Sequence, residues 1–394
     1  MAIVMDAQEV ILRCGLLAHC TEEPGHITRT FLSPAMREVH RLVREWMEDA
    51  GLRVWVDAVG NIRGVSDDGP RLMIGSHLDT VPHAGRYDGV LGVIMGIALA
   101  AQGIAPLEVV GFSEEEGVRF GKPFIGSRAL AGAPVMDPEI LDAICKYGLD
   151  PGQIPLAAID GNVRGFLEFH IEQGPVLENM DLRLGVVEAI AGQSRVALSF
   201  LGKANHAGAT PMKYRRDALA AAAEWICFVE HKARTTEGLV ATVGQLEVQS
   251  GAVNVIPGSV RASLDLRHAD DRIRTESLGT LEFAAKTFAG NRNVRVEWDP
   301  RHQQPATAMD AGMIAALCSA AESAGHRVHR MVSGAGHDAM ILARKAPAAM
   351  LFLRSPGGIS HHPHEAVLAS DVDAALAVGT RFLESWCLET WRPS

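Results

Sequence analysis

The chain has 394 residues, too many for one hydrophobic core, so two domains are expected. With 47% apolar and 21% charged residues it has the composition of an ordinary soluble globular protein, and no run approaches the ~20 apolar residues needed to span a bilayer. A formal net charge of -10 argues against nucleic acid or an anionic membrane as partner.

Residues 1–15 are mildly apolar but lack a basic start and carry Asp6 and Glu9, so they read as a first helix and not as an export signal. The cysteines (Cys14, Cys20, Cys145, Cys227, Cys318, Cys387) are dispersed and form no CxxC pair. Reduced thiols in the cytoplasm are expected. Cys227 and Cys318 lie in helix-like apolar contexts and are expected to be buried.

Residues 37–50 carry apolar side chains at helical spacing, and Gly51 ends that helix. Strands are expected at 52–57 and 72–76. Residues 89–101 form a small, apolar helix whose Gly92 and Gly96 suit tight packing on a sheet. The strand 107–112 ends directly on a run of glutamates. Strands alternating with helices indicate an α/β domain with a largely parallel sheet. Ligands collect at the carboxyl ends of such strands.

The pattern changes between residues 192 and 304. A strand (194–200) precedes a long helix (211–233) with Pro211 near its first turn. Strands at 239–247 and 260–266, a helix at 271–289 and a strand at 294–298 come next. This order is the split βαβ arrangement of a ferredoxin-like unit. Alternating α/β then returns with a helix at 310–324, a strand near 349–353 and a helix at 370–388. The expected architecture is a mostly parallel α/β domain (1–191 and 305–394) with an inserted ferredoxin-like α+β domain (192–304).

Short glycine-punctuated motifs carry the chemistry. His77 lies in Gly-Ser-His77-Leu-Asp79-Thr80, and imidazole is a good ligand for zinc-like ions. Asp79 cannot easily reach the same ion, but it is placed to hold the His77 ring by a hydrogen bond. Asp88 comes eleven residues after His77. Its two oxygens can bridge two ions, which two-metal hydrolases place ~3.5–4 Å apart. The run Glu114-Glu115-Glu116 repels itself unless cations or water relieve it. Neighbouring side chains on extended backbone point opposite ways, so Glu115 and Glu116 need a local turn to serve one site. His170 lies among apolar residues, where a core histidine competes with a ligand. His361, His362 and His364 crowd into a four-residue span, which packing alone rarely explains. Each motif has a bland reading when taken singly: a buried His–Asp pair, an Asp-Gly turn, a solvated acidic loop. Together they supply ligands for two divalent ions and a spare glutamate as base, which points to metal-assisted hydrolysis.

Through these motifs the chain resembles the zinc-dependent aminoacylase/carboxypeptidase superfamily, and within it the hydantoinase/carbamoylase branch. The matching segments run in order along nearly the whole chain: GSHLDTV (75–81), YDG (87–89), EEGVRFG (115–121), HIEQGPVLE (170–178), AGQ (191–193), NHAGATPM (205–212), RRDA (215–218), NVIPG (254–258), DLRH (265–268), SGAGHDA (333–339) and GISHHPHE (358–365). The resemblance implies that His77, Asp88 and His170 hold one ion and that Asp88, Glu116 and His361 hold the other, with Asp88 bridging. Glu115 would be the general base. His206 would donate to the developing oxyanion across a subunit boundary, as a lid histidine does in similar enzymes. Arg267 would clamp a substrate carboxylate, and Gln193 and Asn254 would hydrogen-bond it or the ureido group. His337 and Asp338 match a loop of the branch and have a supporting role. The short His77–Asp88 gap and a histidine at position 170 favour the carbamoylase branch over its peptidase relatives.

The expected protein is a cytoplasmic homodimer whose inserted domain serves as lid and dimerisation domain. It carries two divalent ions per subunit, zinc or manganese, with cobalt and nickel also suiting the donor set. It cleaves the carbamoyl C–N bond of a small ureido acid such as an N-carbamoyl-L-amino acid. The competing readings are an allantoate amidohydrolase, an aminoacylase or dipeptidase of the same superfamily, and a metal- or ligand-binding protein without turnover. The chain departs from the family pattern at Ala209, where threonine is common, at His362, where asparagine usually follows the metal histidine, and at His364, an added imidazole.

Overall fold

The computed structural model describes residues 5–249 and 251–390, with residues 387–390 described by backbone alone. Cys387 therefore lies outside the described side chains. The chain divides into two compact units, Met1–Glu188 with Met309–Ser394, and Ala189–Ala308. Among the described residues no helix is long and apolar enough to cross a membrane.

The strands in chain order are β1 (Arg53–Val56), β2 (Ile62–Val65), β3 (Arg71–His77), β4 (Leu107–Phe112), β5 (Val163–Ile171), β6 (Leu184–Ile190), β7 (Gly192–Leu201), β8 (Asn205–His206), β9 (Val240–Thr242), β10 (Leu246–Gln249), β11 (Val255–Ile256), β12 (Ser259–His268), β13 (Arg295–Gln304), β14 (Thr307–Ala308), β15 (Val328–Ser333) and β16 (Ala348–Leu353). In the first unit they form a sheet of order β1-β2-β4-β3-β5-β16-β6, and β15 also pairs with β6. The central strands β4, β3, β5 and β16 are mutually parallel. Antiparallel pairs extend the sheet on both flanks.

Every residue of β3, β4 and β16 is buried, which is why these segments read as continuous apolar runs. The helix Val90–Ala100 is buried along its whole length. A Cβ on Gly92 would stand 2.2 Å from the Phe169 carbonyl oxygen, so only glycine permits that approach. β2, β5, β6 and β15 lie beyond the strands expected from the sequence.

Toward the amino ends of β3 and β4 an ion triad is buried. Glu108 bonds Arg63 at 2.6 Å and Arg71 at 2.7 Å, with all three side chains nearly inaccessible. Arg63 also donates to the Ala157 carbonyl.

The second unit is an antiparallel sheet of order β10-β12-β7-β13, with β9 also on β12, and the helices Ala218–Thr235 and Asp271–Gly290. Buried and partly exposed residues alternate along β7 and β12, the period of a strand with one covered face. Phe200, Trp225, Leu264 and Leu281 lie in its core. The unit begins with the last residues of β6 and ends with β14, because Ile190 pairs with Thr307 and Ala189 with Ala308. The cuts therefore fall outside residues 192 and 304.

Local departures from the sequence expectation have physical causes. The first long helix of this unit starts at Ala218, not Pro211. Asp217 caps it by accepting from the Ala220 N–H, while residues 212–214 form a short 3-10 turn. The expected strand 239–247 is two strands separated by a bulge: Thr242 faces Asp265, whereas Leu246 faces Ala262, leaving one extra residue between them. Cys227 is exposed and Cys318 half-buried, not buried. The covered stripe of the first helix runs through Ala221, Ala222, Trp225 and Val229, and Cys227 falls off it.

Candidate metal centre and active site

His77 is the last residue of β3, and His170 lies at the end of the neighbouring parallel strand β5. Asp88 precedes the helix Val90–Ala100, with Gly89 between them at φ 69°. A Cβ on Gly89 would come 2.5 Å from the His77 ring, so glycine is required there. Glu114 follows β4 with φ 53°. This is the local turn that the acidic run needs. Glu114 itself faces away and accepts from the Phe31 and Arg119 N–H groups. Glu115 and Glu116 are left facing the histidines.

The structure brings five residues to one point. Asp88 Oδ1 lies 3.5 Å from His77 Nε2 and 3.1 Å from His170 Nε2. Asp88 Oδ2 lies 3.3 Å from His361 Nε2, which is itself 3.5 Å from Glu116 Oε1. Candidate ligand atoms of His77, Asp88 and His170 lie within 4.8 Å of one another, as do those of Asp88, Glu116 and His361, and those of His77, Glu115 and Glu116. Asp88 is shared by the first two groups. His362 and His364 are in none of them. Their rings pack against each other at 4.8 Å, exposed, and His361 reaches Asp88 from a backbone with φ 56°.

The donor chemistry fits divalent ions. His77 Nδ1 donates to the Asp79 carbonyl and His170 Nδ1 to the Ile171 carbonyl, so both rings present an unprotonated Nε2 to Asp88. His170 Nε2 and Asp88 Oδ1 are buried without a hydrogen-bond partner. A divalent cation held by these residues would satisfy both. Burial opposes the Asp88 charge, and positive charge at His170, His361 and His77, which bound cations would supply in place of protons, holds its carboxyl well below the usual range. Burial pushes Glu115 well above the usual carboxylate range, against the pull of His77, with Glu116 and Asp338 adding to it. Burial likewise lifts Glu116 to about 7, opposed by His77 and reinforced by Asp88. Carboxyl groups crowded in this way are relieved by positive charge.

One expectation is corrected. The Asp79 carboxylate does not hold the His77 ring. Its oxygens accept from the Glu115 and Glu116 N–H groups at 3.0 and 3.1 Å, while its backbone carbonyl takes the His77 proton. Asp79 therefore positions the acidic turn and the histidine together.

Three residues of this site were not singled out by the sequence. Gln173 Nε2 and Ser360 Oγ donate to Asp88 Oδ2 at 2.9 and 2.8 Å. Glu365 accepts from the Tyr87 and Asp88 N–H groups. Burial and the nearby Asp88 charge raise its carboxyl to about 7. All three lie inside glycine-bounded motifs beside His170 and His361, and that was the available signal. His337 packs edge-on to His170 at 4.5 Å. Burial pushes its imidazole well below its usual value.

The remaining candidates lie in the second unit. His206 Nδ1 accepts from the Gly208 and Ala209 N–H groups, so the exposed Nε2 carries the proton and is a donor. The Ala207 N–H bonds the Asn254 carbonyl, and His206 pairs with Val255, which joins these two candidates across β8 and β11. Gln193 faces Arg267 across β7 and β12. Both are held by Asp265: Gln193 Nε2 at 2.6 Å and Arg267 through two bonds at 2.7 and 3.1 Å. The expected carboxylate clamp is thus already engaged with a carboxylate of its own chain.

Comparison with known proteins gives consistent matches. The model of peptidase family M20/M25/M40 matches residues 73–386. Allantoate deiminase 2 of Glycine max is 38% identical over 96% of this chain and 89% of its own length. The N-carbamoyl-L-amino acid amidohydrolase of Geobacillus stearothermophilus is 40% identical over 86% of this chain and 88% of its own. Among solved structures, a hydantoinase/carbamoylase family amidase from Burkholderia multivorans superposes with a TM-score of 0.90 at 30% identity, covering 99% of this chain and 100% of that one.

Proposed function

The chain belongs to peptidase family M20/M25/M40, and on that premise we propose that it is a two-metal amidohydrolase acting on the carbamoyl C–N bond of an N-carbamoyl-L-amino acid or a related ureido acid. The observation that carries this reading is the shared carboxylate of Asp88, flanked by three histidine Nε2 atoms at 3.1–3.5 Å. Two divalent ions, one held by His77, Asp88 and His170 and the other by Asp88, Glu116 and His361, would supply Lewis acidity toward the substrate carbonyl and the attacking water. Glu115, buried beside them, takes the proton from that water and delivers it to the leaving nitrogen. Gln173, Ser360 and Glu365 keep Asp88 oriented. His206 presents Nε2–H to the oxyanion that develops on the carbonyl. Arg267 exchanges its partner Asp265 for the substrate carboxylate, and Gln193 and Asn254 complete that binding set.

The protein acts as a homodimer, with the second unit serving as lid and dimerisation domain and supplying His206 to the other subunit. Zinc or manganese suits the histidine and carboxylate donors, as do cobalt and nickel. The dispersed free thiols suit a reducing cytoplasm. A second reading, allantoate as substrate, is favoured by the wider coverage of the soybean relative.

The test follows ammonia release, and in parallel free amino acid by a ninhydrin-type assay, when zinc- or manganese-loaded protein is given N-carbamoyl-L-amino acids, N-carbamoyl-β-alanine, allantoate and N-acetyl amino acids. Turnover of a ureido acid supports the reading and names the subgroup. Cleavage of the acetyl compounds alone refutes it in favour of an aminoacylase.

A further inference from the structure

Glu23, His26 and His83 bring three metal-ligating side chains together on the exposed surface of the first unit. One candidate ligand atom from each lies within 4.8 Å of the others. His83 Nε2 is 3.1 Å from Glu23 Oε2, and the His26 and His83 rings stack with centroids 4.1 Å apart. A tetrahedral ion with ligands at ~2.0–2.2 Å separates its donor atoms by roughly 3.3 Å. The Glu23–His83 pair already stands near that spacing, and His26 needs only a side-chain adjustment.

The backbone beneath these side chains is tied down. The Ala84 N–H donates to the Ile27 carbonyl at 2.9 Å, and the Thr80 N–H to the Arg29 carbonyl at 2.8 Å. The His83 N–H donates to Thr28 Oγ1 at 3.1 Å. Thr21 Oγ1 accepts from the Glu23 and Thr28 N–H groups, closing the turn that carries Glu23 and His26. His83 has φ 57°, a conformation uncommon outside glycine. With both segments held in place, binding an ion orders three side chains and little backbone.

We propose that Glu23, His26 and His83 form a second, separate metal site that takes one transition-metal ion and staples residues 21–28 to the segment joining His77 to Asp88. Two imidazoles and a carboxylate select zinc, nickel or copper over magnesium and calcium, which favour oxygen ligands throughout. Three protein ligands on an open surface leave a further position for water. None of the three residues belongs to the centre described above, so the site stands or falls apart from the amidohydrolase reading.

The experiment is zinc binding to the full-length, tag-free protein, read as bound zinc per chain by atomic emission over a series of fixed free-zinc concentrations. Wild type is compared with H26A/H83A and with E23Q. The expected result is one zinc fewer in H26A/H83A, with E23Q losing the same zinc at higher free zinc than wild type does. Equal zinc content of wild type and H26A/H83A across the series overturns the proposal. The readout is a difference, so the occupancy of the central cluster does not affect it. A stapling ion also raises the thermal midpoint of wild type in zinc more than that of H26A/H83A; equal rises overturn the stapling role.

Discussion

Asp88 Oδ1 and His170 Nε2 stand 3.1 Å apart in the protein interior, yet neither has a hydrogen-bond partner. Both histidines that flank this oxygen have spent their Nδ1 protons on backbone carbonyls. Replacing Asp88 by alanine removes the one side chain common to both proposed ligand sets. D88A is expected to lose both ions, whereas H361A is expected to keep the more deeply buried one. Metal content by atomic emission checks this, and full metal content in D88A would falsify the bridging role.

Glu115 is the spare carboxyl of the cluster. E115Q keeps the size of the side chain and the backbone bond to Asp79, so metal content should match wild type. Turnover should fall by roughly 10²–10⁴, the usual contribution of a positioned proton-transfer group. Steady-state kinetics on whichever ureido acid is turned over measures it. Unchanged kcat removes Glu115 from the mechanism.

The His206 side chain is exposed and, among the described residues, hydrogen-bonds within its own turn, so H206A should fold normally and lose kcat by about 10²–10³, the value of one oxyanion donor. If it acts on the other subunit, mixing inactive E115Q with inactive H206A after reversible dissociation restores activity. Random exchange within a dimer should return roughly a quarter of wild-type activity. No recovery in mixed dimers assigns His206 to its own subunit.

Much of the centre was legible in the sequence because strand ends announce themselves. Apolar runs stop at His77 and before Glu114, and the sheet geometry does the rest. The role of Asp79 was not legible, because it depends on which of its oxygens, carbonyl or carboxylate, meets the ring. Nor was Glu365, whose bond to the Asp88 N–H spans 277 positions of chain. In the second unit the element order could be read, but Pro211 was a misleading start signal. The cap at Asp217 sets the helix, followed by an alanine-rich stretch whose buried stripe only the fold identifies.

The buried triad predicts a stability effect remote from the chemistry. E108Q leaves Arg63 and Arg71 facing each other without their shared anion. The expected loss is about 3–5 kcal/mol in urea unfolding, the range for breaking a buried ion pair from one side. A loss below about 1 kcal/mol would mean that water reaches the arginines.

His40 gives a pH signature. Burial lowers its imidazole from 6.5 to about 4, helped by Arg44, and Tyr147 Oη bonds its Nδ1. Between those values the unfolded chain takes up a proton that the native one refuses, so stability falls as pH drops from about 6.5 toward 4. The integrated effect is about 3 kcal/mol. Asp57 runs the other way, because burial raises its carboxyl to about 6. The comparison is therefore between wild type and H40Q: the difference in their urea midpoints should shrink as pH falls through this window. A constant difference rejects the assignment.

β16 occupies the middle of the sheet, parallel to β5 on one side and antiparallel to β6 on the other. Its residues, 348–353, are joined to β6 through the whole inserted unit. The sheet therefore stays split until nearly the entire chain has been made, and His361 arrives only after the gap closes. A nascent chain thus has no complete cluster, because His361, which completes the group with Asp88 and Glu116, comes from the last tenth of the protein. Truncations that stop before β16 should expose two unpaired strand edges, and such edges invite aggregation before they permit catalysis.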